Sequence, residues 1–424
     1  MTDTIFALSS GAPPAAIGVV RISGPLAGET VRAMTGALPV ERRASLRAIK
    51  GADARVLDRA LVLWFPGPRT ATGEDLAEFH CHGGRAVIAA IEADLAAREG
   101  LRRAEPGEFT RRAFANGVID LAEAEGLGDL LAAETELQRR AAEAAAGGGL
   151  SRKVEAWRSR VLGLSALVES QLDFGDEDDV GDLPEMFHVE LSGLVEEWRR
   201  ALDAPPVERL KDGIRVVLAG PPNTGKSSLF NALLDEGAAI VSAEAGTTRD
   251  VIERPIALGG VPFVLVDTAG LRDDGAGEIE RIGIDRAREQ LERADIVLWL
   301  GEEGQGPEGC LEIGARADLE AARKASPDYE VSVVTGSGID DLVRGLIERS
   351  RELLPRPGEV ALNLRQTSAL REAFEALDGI VEGDDALLTG ERLRLARLAL
   401  DRLLGRHSTE DMLDALFGRF CIGK

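Results

Sequence analysis

The sequence predicts a multidomain α+β and α/β protein: an N-terminal α+β domain, a discontinuous helical domain, and an α/β phosphate-loop domain inserted into the helical one. Three observations carry this. Gly220-Pro-Pro-Asn-Thr-Gly225-Lys226-Ser227-Ser228 is a full G-x-x-x-x-G-K-S loop, preceded by the apolar run Ile214–Ala219 and followed by helix-like Leu229–Leu234. Sequence rich in Ala, Leu and Glu, with helical spacing, lies on both sides of that domain. Ahead of it, strand-like runs alternate with Gly/Pro turns.

Residues 1–117 carry the runs Ile17–Ile22 and Leu61–Phe65 and one helix near Ala86–Ala97, an α+β pattern. Residues 118–211 contain no proline before Pro184 and read as long amphipathic helices, broken at Gly147-Gly-Gly149 and by the acidic stretch Asp173–Asp179. Residues 212–351 alternate strand and helix, as a parallel nucleotide-binding sheet does. In 352–424 helices return: Leu393, Ala396, Leu400 and Leu404 keep helical spacing, and Ser408-x-x-Asp411 predicts a capping box.

A length of 424 residues supports roughly two to four domains. The net charge of −23 argues against a broad nucleic-acid surface, because phosphate backbones are bound by neutralising them with Lys and Arg. Arg102-Arg103 and Arg111-Arg112 offer a local basic patch, but composition favours solvated helix faces. Cys81, Cys310 and Cys421 are too few and scattered for a disulfide framework. The first residues lack a signal-peptide layout, and the apolar stretches fall short of a membrane span. A cytoplasmic location without membrane attachment is expected.

The phosphate loop implies nucleoside triphosphate binding. Its glycines turn backbone N–H groups inward around phosphates, and the following helix presents its positive end. Asn223, Thr224, Gly225, Lys226, Ser227 and Ser228 line it, with Lys226 on the β/γ-phosphates and Ser227 on Mg²⁺. Downstream, Asp267-Thr268-Ala269-Gly270 ends an apolar strand. Asp267 there can hold Mg²⁺ through water, and the Gly270 N–H can meet the γ-phosphate. Gly246-Thr247-Thr248 supplies a further hydroxyl, Thr248, for the same metal. Three motifs in this order resemble the translation-factor-like GTPases, a Ras-like fold. Leu271 stands where Ras-like proteins place a water-orienting glutamine, so hydrolysis needs another group. Glu278, Glu280 and Arg281 are candidates, although each also reads as a solvated charge opening a helix over Ile279–Leu291. Guanine recognition falls to Ala315-Arg-Ala-Asp318, in which Asp318 keeps the acceptor for guanine's N1 and N2 donors but the usual Asn is gone. Asp318 also suits a helix N-cap before Leu319–Lys324, and the segment from Leu300 to Ala315 is short for the usual helix plus strand.

With the terminal Phe420-Cys-Ile-Gly-Lys424, nearly the whole chain resembles the MnmE (TrmE) family of tRNA-modification GTPases. Matching N-terminal stretches are Gly18–Gly24, Trp64–Gly67, Thr72–Asp75, His82–Gly84, Arg103–Phe114 and Asp120–Glu125. The resemblance implies an N-terminal folate-binding-like domain that dimerises, giving a homodimer, a helical domain built from both flanks, and the inserted Ras-like domain. It implies GTP hydrolysis coupled, with the flavoprotein MnmG, to adding a carboxymethylaminomethyl or aminomethyl group at C5 of the wobble uridine of certain tRNAs. A tetrahydrofolate derivative, 5-formyl or methylene, would carry the one-carbon unit.

Residue by residue, it places K⁺ at Asn223 and within Ser242–Thr247, including Ser242, Glu244 and Thr247, where positive charge would replace an arginine finger. It assigns water orientation to Glu280, a switch role to Arg272, and folate contacts to Arg21, Glu78 and Lys424. Cys421 matches the functional thiol, with nucleophilic, acid/base and positioning roles all open. Val118 stands where relatives often carry a folate-contacting Lys, and Ser332-Val333 replaces the usual Ser-Ala near the base. His80-Cys81-His82 invites a zinc reading, but neighbours on alternating strand faces converge poorly on one ion. A regulatory switch without modification activity, for example in ribosome assembly, is the competing reading; it needs neither the folate-like motifs nor Cys421.

Overall fold

Strand-forming sequence with period-two burial builds the first sheet. β1 (Thr4–Leu8), β2 (Ile17–Ser23), β3 (Ser45–Lys50), β4 (Val56–Phe65), β5 (Leu76–His82) and β6 (Leu101–Arg103) lie in the order β3-β4-β5-β2-β1-β6, antiparallel except for β1 with β6. In the computed structural model, residues 3–174, 183–239, 252–267, 288–318, 324–356, 361–406 and 409–424 are described. One face of the sheet, with Val20, Ile22, Val62, Trp64 and Phe79, packs on the helices Ala27–Thr35 and Arg85–Ala96. On the other face, Phe109 of the helix Glu108–Ala115 covers Ile5 and Ala7. Towards its β3–β4 edge that face is exposed. Leu46 and Leu61, paired across β3 and β4, are 69% and 44% exposed.

Two compact units result: Met1–Gly128 with Ala145–Ser151 and Asp401–Lys424, and Asp129–Ala144 with Arg152–Leu400. In the second, β7 (Ile214–Ala219), β8 (Ala238–Ala239), β9 (Ile252–Leu258), β10 (Val261–Asp267), β11 (Ile296–Trp299), β12 (Leu311–Ala315) and β13 (Tyr329–Val331) form a sheet of order β13-β12-β11-β7-β10-β9-β8. Five of these run parallel, from β13 through to β10, and β9 closes the other side antiparallel. Near-continuous apolar runs in β7 and β10 suit a sheet covered on both faces. The helices Lys226–Glu236 and Ile339–Leu353 pack their Leu229, Leu233, Leu342 and Leu346 onto it. The short Leu300–Ala315 segment does form strand β12, but it reaches it through turns without a helix.

The helical sequence from both flanks does pack together within this unit. Arg199 of the helix Glu185–Asp203 pairs with Asp378 at 2.9 Å and lies over Phe374 of the helix Leu364–Leu377. Trp157 and Trp198, both almost fully buried, meet edge to face at 6.1 Å between the helices Gly149–Phe174 and Glu185–Asp203. The glycine break falls where the sequence put it, with one helix ending at Ala146 and the next opening at Gly149. The capping box predicted at Ser408-x-x-Asp411 rests on Ser408 and the Asp411 side chain, which lie outside the described residues. The helix Glu410–Phe417 takes Thr409 as its N-cap, without a side-chain bond. A capping box does form at Asn363 with Gln366. Among the described residues, no helix is long and apolar enough to cross a membrane.

Candidate functional site

Strand β7 delivers the phosphate loop into a tight turn. Gly220 and Gly225 adopt left-handed backbone, and so does Asn223 at φ 60°. A side chain at Gly220 would sit 2.9 Å from the Gly301 nitrogen, so the loop presses on the chain leaving β11. That approach requires glycine. Lys226, 5% exposed, donates from Nζ to the carbonyls of Gly220 at 2.9 Å and Pro221 at 2.7 Å. Its own loop thus holds the cation at the mouth. Thr224 Oγ1 donates to the Pro221 carbonyl at 3.0 Å. Asn223 is exposed, with no hydrogen bond from its side chain among the described residues.

Asp267 ends β10 in register with Leu218 of β7, which brings its carboxylate across to the loop. Ser227 Oγ donates to Asp267 Oδ2 at 2.8 Å. Two hard oxygen groups facing each other at the start of a helix fit Mg²⁺, which takes a hydroxyl and a carboxylate through water.

Where a base would lie, β12 and β13 bring two segments together. Ser332, almost fully buried, donates from Oγ to Asp318 Oδ1 at 2.8 Å. The sequence did not reveal this bond, which fixes the acceptor's orientation. Arg316, in left-handed backbone at φ 62°, runs beside Gly225, and a side chain built there would come 3.9 Å from its Nε. Ser228 continues the loop helix. Ser242, Glu244, Thr247, Thr248, Thr268, Ala269, Gly270, Arg272 and Glu280 lie outside the described residues.

A second constellation occupies the first unit. Arg21 on β2 stands opposite Glu78 on β5 and donates to its Oε1 from Nε at 3.1 Å and Nη2 at 2.9 Å. The guanidinium lies over the Phe109 ring, and His80 reaches the second oxygen at 3.1 Å. Burial pushes the Glu78 carboxyl up, but the His80 hydrogen bond and the Arg21 charge outweigh it and hold the group below its usual range. His82 is paired with Asp58 at 2.7 Å, while Cys81 between the two histidines faces the core, where burial and then the Asp58 charge push its thiol up to about 12. This is an inert structural cysteine.

The segment Phe420–Lys424 is seated on the same unit. Ile422 bridges Pro106 antiparallel, beside the Gly107–Phe109 turn that brings Phe109 under Arg21. Phe420 packs with Leu121, Ala124 and Phe417, which leaves Cys421 exposed next to this support. Two glycines make the seating possible. A side chain at Gly107 would come 2.2 Å from the Phe417 carbonyl oxygen, and one at Gly423, whose φ is +95°, would come 2.1 Å from that of Leu8. Gly423→Ala is therefore expected to lift the segment. Strain of about 1–3 kcal/mol at such a position predicts roughly tenfold faster amide exchange across 420–424, and unchanged exchange would contradict the seating.

The arginine pairs correct the sequence reading. Arg112 is not a solvated helix face: it is fully buried and bonds Asp3, Glu74 and Glu108 at 2.9, 3.1 and 3.0 Å. Arg102 pairs with Asp3 at 2.6 Å and with Glu108, and Arg111 pairs with Glu410 and Asp414. Arg103 pairs with Glu92 at 3.2 Å, so each of the four arginines has an acidic partner among the described residues. The Thr72–Asp75 stretch belongs to this knot. Ser23 Oγ bonds Thr72 Oγ1 at 2.7 Å and Glu74 Oε2 at 2.8 Å, and Asp75 accepts from the Gly67 N–H at 2.9 Å. Asn116 donates to the Thr72 carbonyl at 2.7 Å, and Val118 lies over Gly73, 42% exposed.

The family model described as the GTP-binding protein TrmE N-terminus matches residues 4–118, and that of the MnmE helical domain matches 121–421. The chain is 63% identical over 423 residues to the tRNA modification GTPase MnmE of Erythrobacter litoralis, covering 100% of each. It is 59% identical over 437 residues to that of Novosphingobium aromaticivorans, again with 100% of each covered, and 47% identical over 433 residues to that of Zymomonas mobilis, covering 99% of this chain and 100% of the relative. With matches of this extent at both ends and a complete phosphate loop between them, the chain belongs to the MnmE family of tRNA modification GTPases.

Proposed function

We propose that the chain binds and hydrolyses GTP and that this turnover serves tRNA modification, together with the flavoprotein MnmG, at C5 of the wobble uridine. The observation that carries the reading is the Cys421 segment seated beside the Arg21–Glu78 pair in a chain that also holds a complete phosphate loop. The added group in this reading is carboxymethylaminomethyl or aminomethyl. It acts in the cytoplasm.

At the nucleotide, Lys226 exchanges two loop carbonyls for the β/γ-phosphates. Ser227 and Asp267 would hold Mg²⁺, which would supply positive charge against that developing on the phosphates. Asn223, exposed and held in left-handed backbone, is assigned to K⁺ with Ser242, Glu244 and Thr247. Thr248 is assigned to the same Mg²⁺, Thr268, Ala269 and Gly270 to the nucleotide with the Gly270 N–H on the γ-phosphate, Glu280 to orienting the attacking water and Arg272 to a switch role; all lie outside the described residues. Asp318, oriented by Ser332, accepts from guanine.

In the first unit, Arg21, Glu78 and Lys424 are assigned to a tetrahydrofolate derivative. The Arg21–Glu78 pair is preorganised by Phe109 and His80, and Val118 contributes no charge at its rim. Homodimerisation is assigned to the open face of the first sheet, where exposed Leu46 and Leu61 lie in one row with His80. In a deletion strain, wobble-uridine C5 modification is expected to disappear, to return with the wild-type chain, and not to return with Cys421→Ser. Unchanged modification in the deletion would leave only a regulatory GTPase.

A further inference from the structure

Its place on strand β5 decides what His80 can reach. Ala77, Phe79 and Cys81 of that strand face the core, so Glu78 and His80 share the opposite face. Across the ladder Glu78 is in register with Arg21 of β2 and Leu63 of β4, and His80 with Val19 and Leu61. A carboxylate, a guanidinium and an imidazole are thus set among aliphatic side chains on one face. All three stay reachable: the side chains of Arg21, Glu78 and His80 are 22%, 17% and 31% exposed.

Both bonds from Arg21 end on the same atom, Glu78 Oε1. Two bonds to one oxygen do not set where the other oxygen points. Oε2 instead meets His80 Nε2 at 3.1 Å. Held below its usual range against the pull of burial, Glu78 is ionised at neutral pH and can only accept. The ring nitrogen facing it must therefore carry the proton. That fixes the neutral imidazole as the Nε2–H tautomer and leaves Nδ1, unbonded among the described residues, as an acceptor. The opposite tautomer would set a lone pair against the carboxylate and break the contact.

We infer that His80 is a positioning residue of the proposed folate site, whose Nε2–H fixes the second oxygen of Glu78 and so the direction in which the Arg21–Glu78 pair meets its ligand. This rests on the proposed binding of a tetrahydrofolate derivative. Arg21 supplies charge to the pair, and His80 supplies orientation. With Nδ1 open beside the carboxylate, the strand offers two acceptors over an aliphatic floor. Such a surface suits the N–H groups of a flat heterocycle, and the Glu78 charge disfavours an anionic tail there. His80 acts through Glu78 and takes no part in the chemistry.

The chain has 4 histidines, so nitrogen-15-labelled histidine gives a readable long-range spectrum of the full chain, with His80→Gln identifying the signal of His80. In the ligand-free wild type above neutral pH, His80 is expected as the Nε2–H tautomer, and the Nδ1–H form would overturn the inference. This arm uses the wild type, so it stands even if a variant folds poorly. Binding of 5-formyltetrahydrofolate is then measured by calorimetry on the wild type, His80→Gln and His80→Leu, with the oligomeric state followed by sedimentation in the same samples. Glutamine keeps a donor that reaches Glu78, and His80→Gln is expected to bind within about threefold of the wild type. His80→Leu is expected to bind at least about tenfold more weakly, the loss typical of a hydrogen bond to a charged group. Equal weakening in both variants, or none in His80→Leu, overturns the positioning role. A wild type that shows the expected tautomer yet binds no folate removes the folate reading instead.

Discussion

Lys226→Ala is expected to lower GTP turnover by roughly 10²–10³-fold, about 2.7–4 kcal/mol, the loss typical of removing one preorganised electrostatic contact to developing charge. The side chain is 5% exposed and already poised on two carbonyls of its own loop, so its charge is delivered with little reorganisation. The carbonyls of Gly220 and Pro221 return to water in the variant, so the fold is expected to hold. Steady-state hydrolysis with a parallel melting curve checks both parts. Turnover within a few-fold of wild type would show that the loop does not act on the transferring phosphate.

Arg112→Met is expected to destabilise the first unit by about 3–5 kcal/mol. The guanidinium is fully buried among the carboxylates of Asp3, Glu74 and Glu108, and removing it leaves the Glu74 charge without its buried cation and Glu108 with Arg102 alone. Burial raises the Glu108 carboxyl, but the Arg102 bond, a backbone N–H and Arg112 together hold it below its usual range. Arg112→Lys keeps the charge without the planar fork and is expected to fall between. Because the two units need not unfold together, the readout is the first transition in a thermal melt, assigned by proteolysis of residues 3–128. A wild-type melt in Arg112→Met would show that the knot contributes nothing.

What the sequence disclosed depended on how local each signal was. The phosphate loop was legible because motif, strand and helix are contiguous, from Ile214 to Glu236. The glycine break after Ala146 was legible for the same reason. Arg111-Arg112 was misread because adjacent arginines look like surface, and the partners that bury Arg112 come from Asp3 and Glu74, far away in the chain. Gly107 and Gly423 carry no pattern at all. Their need for a missing side chain is set by the carbonyls of Phe417 and Leu8. Asp318 kept two readings in sequence, as base acceptor or helix cap. The structure shows its carboxylate bonded by Ser332, while the helix it would cap falls at 319–323, outside the described residues.

That acceptor also makes the nucleotide the point at which the account is most exposed. Side-by-side hydrolysis of GTP and ATP by the full chain, in K⁺ and in Na⁺, tests it directly. An adenine would leave the Asp318 carboxylate unpaired, a loss of about 1–3 kcal/mol, so GTP is expected to turn over at least about tenfold faster than ATP, and faster in K⁺ than in Na⁺. Equal rates for the two nucleotides, or no hydrolysis of either, would contradict a GTP-driven role.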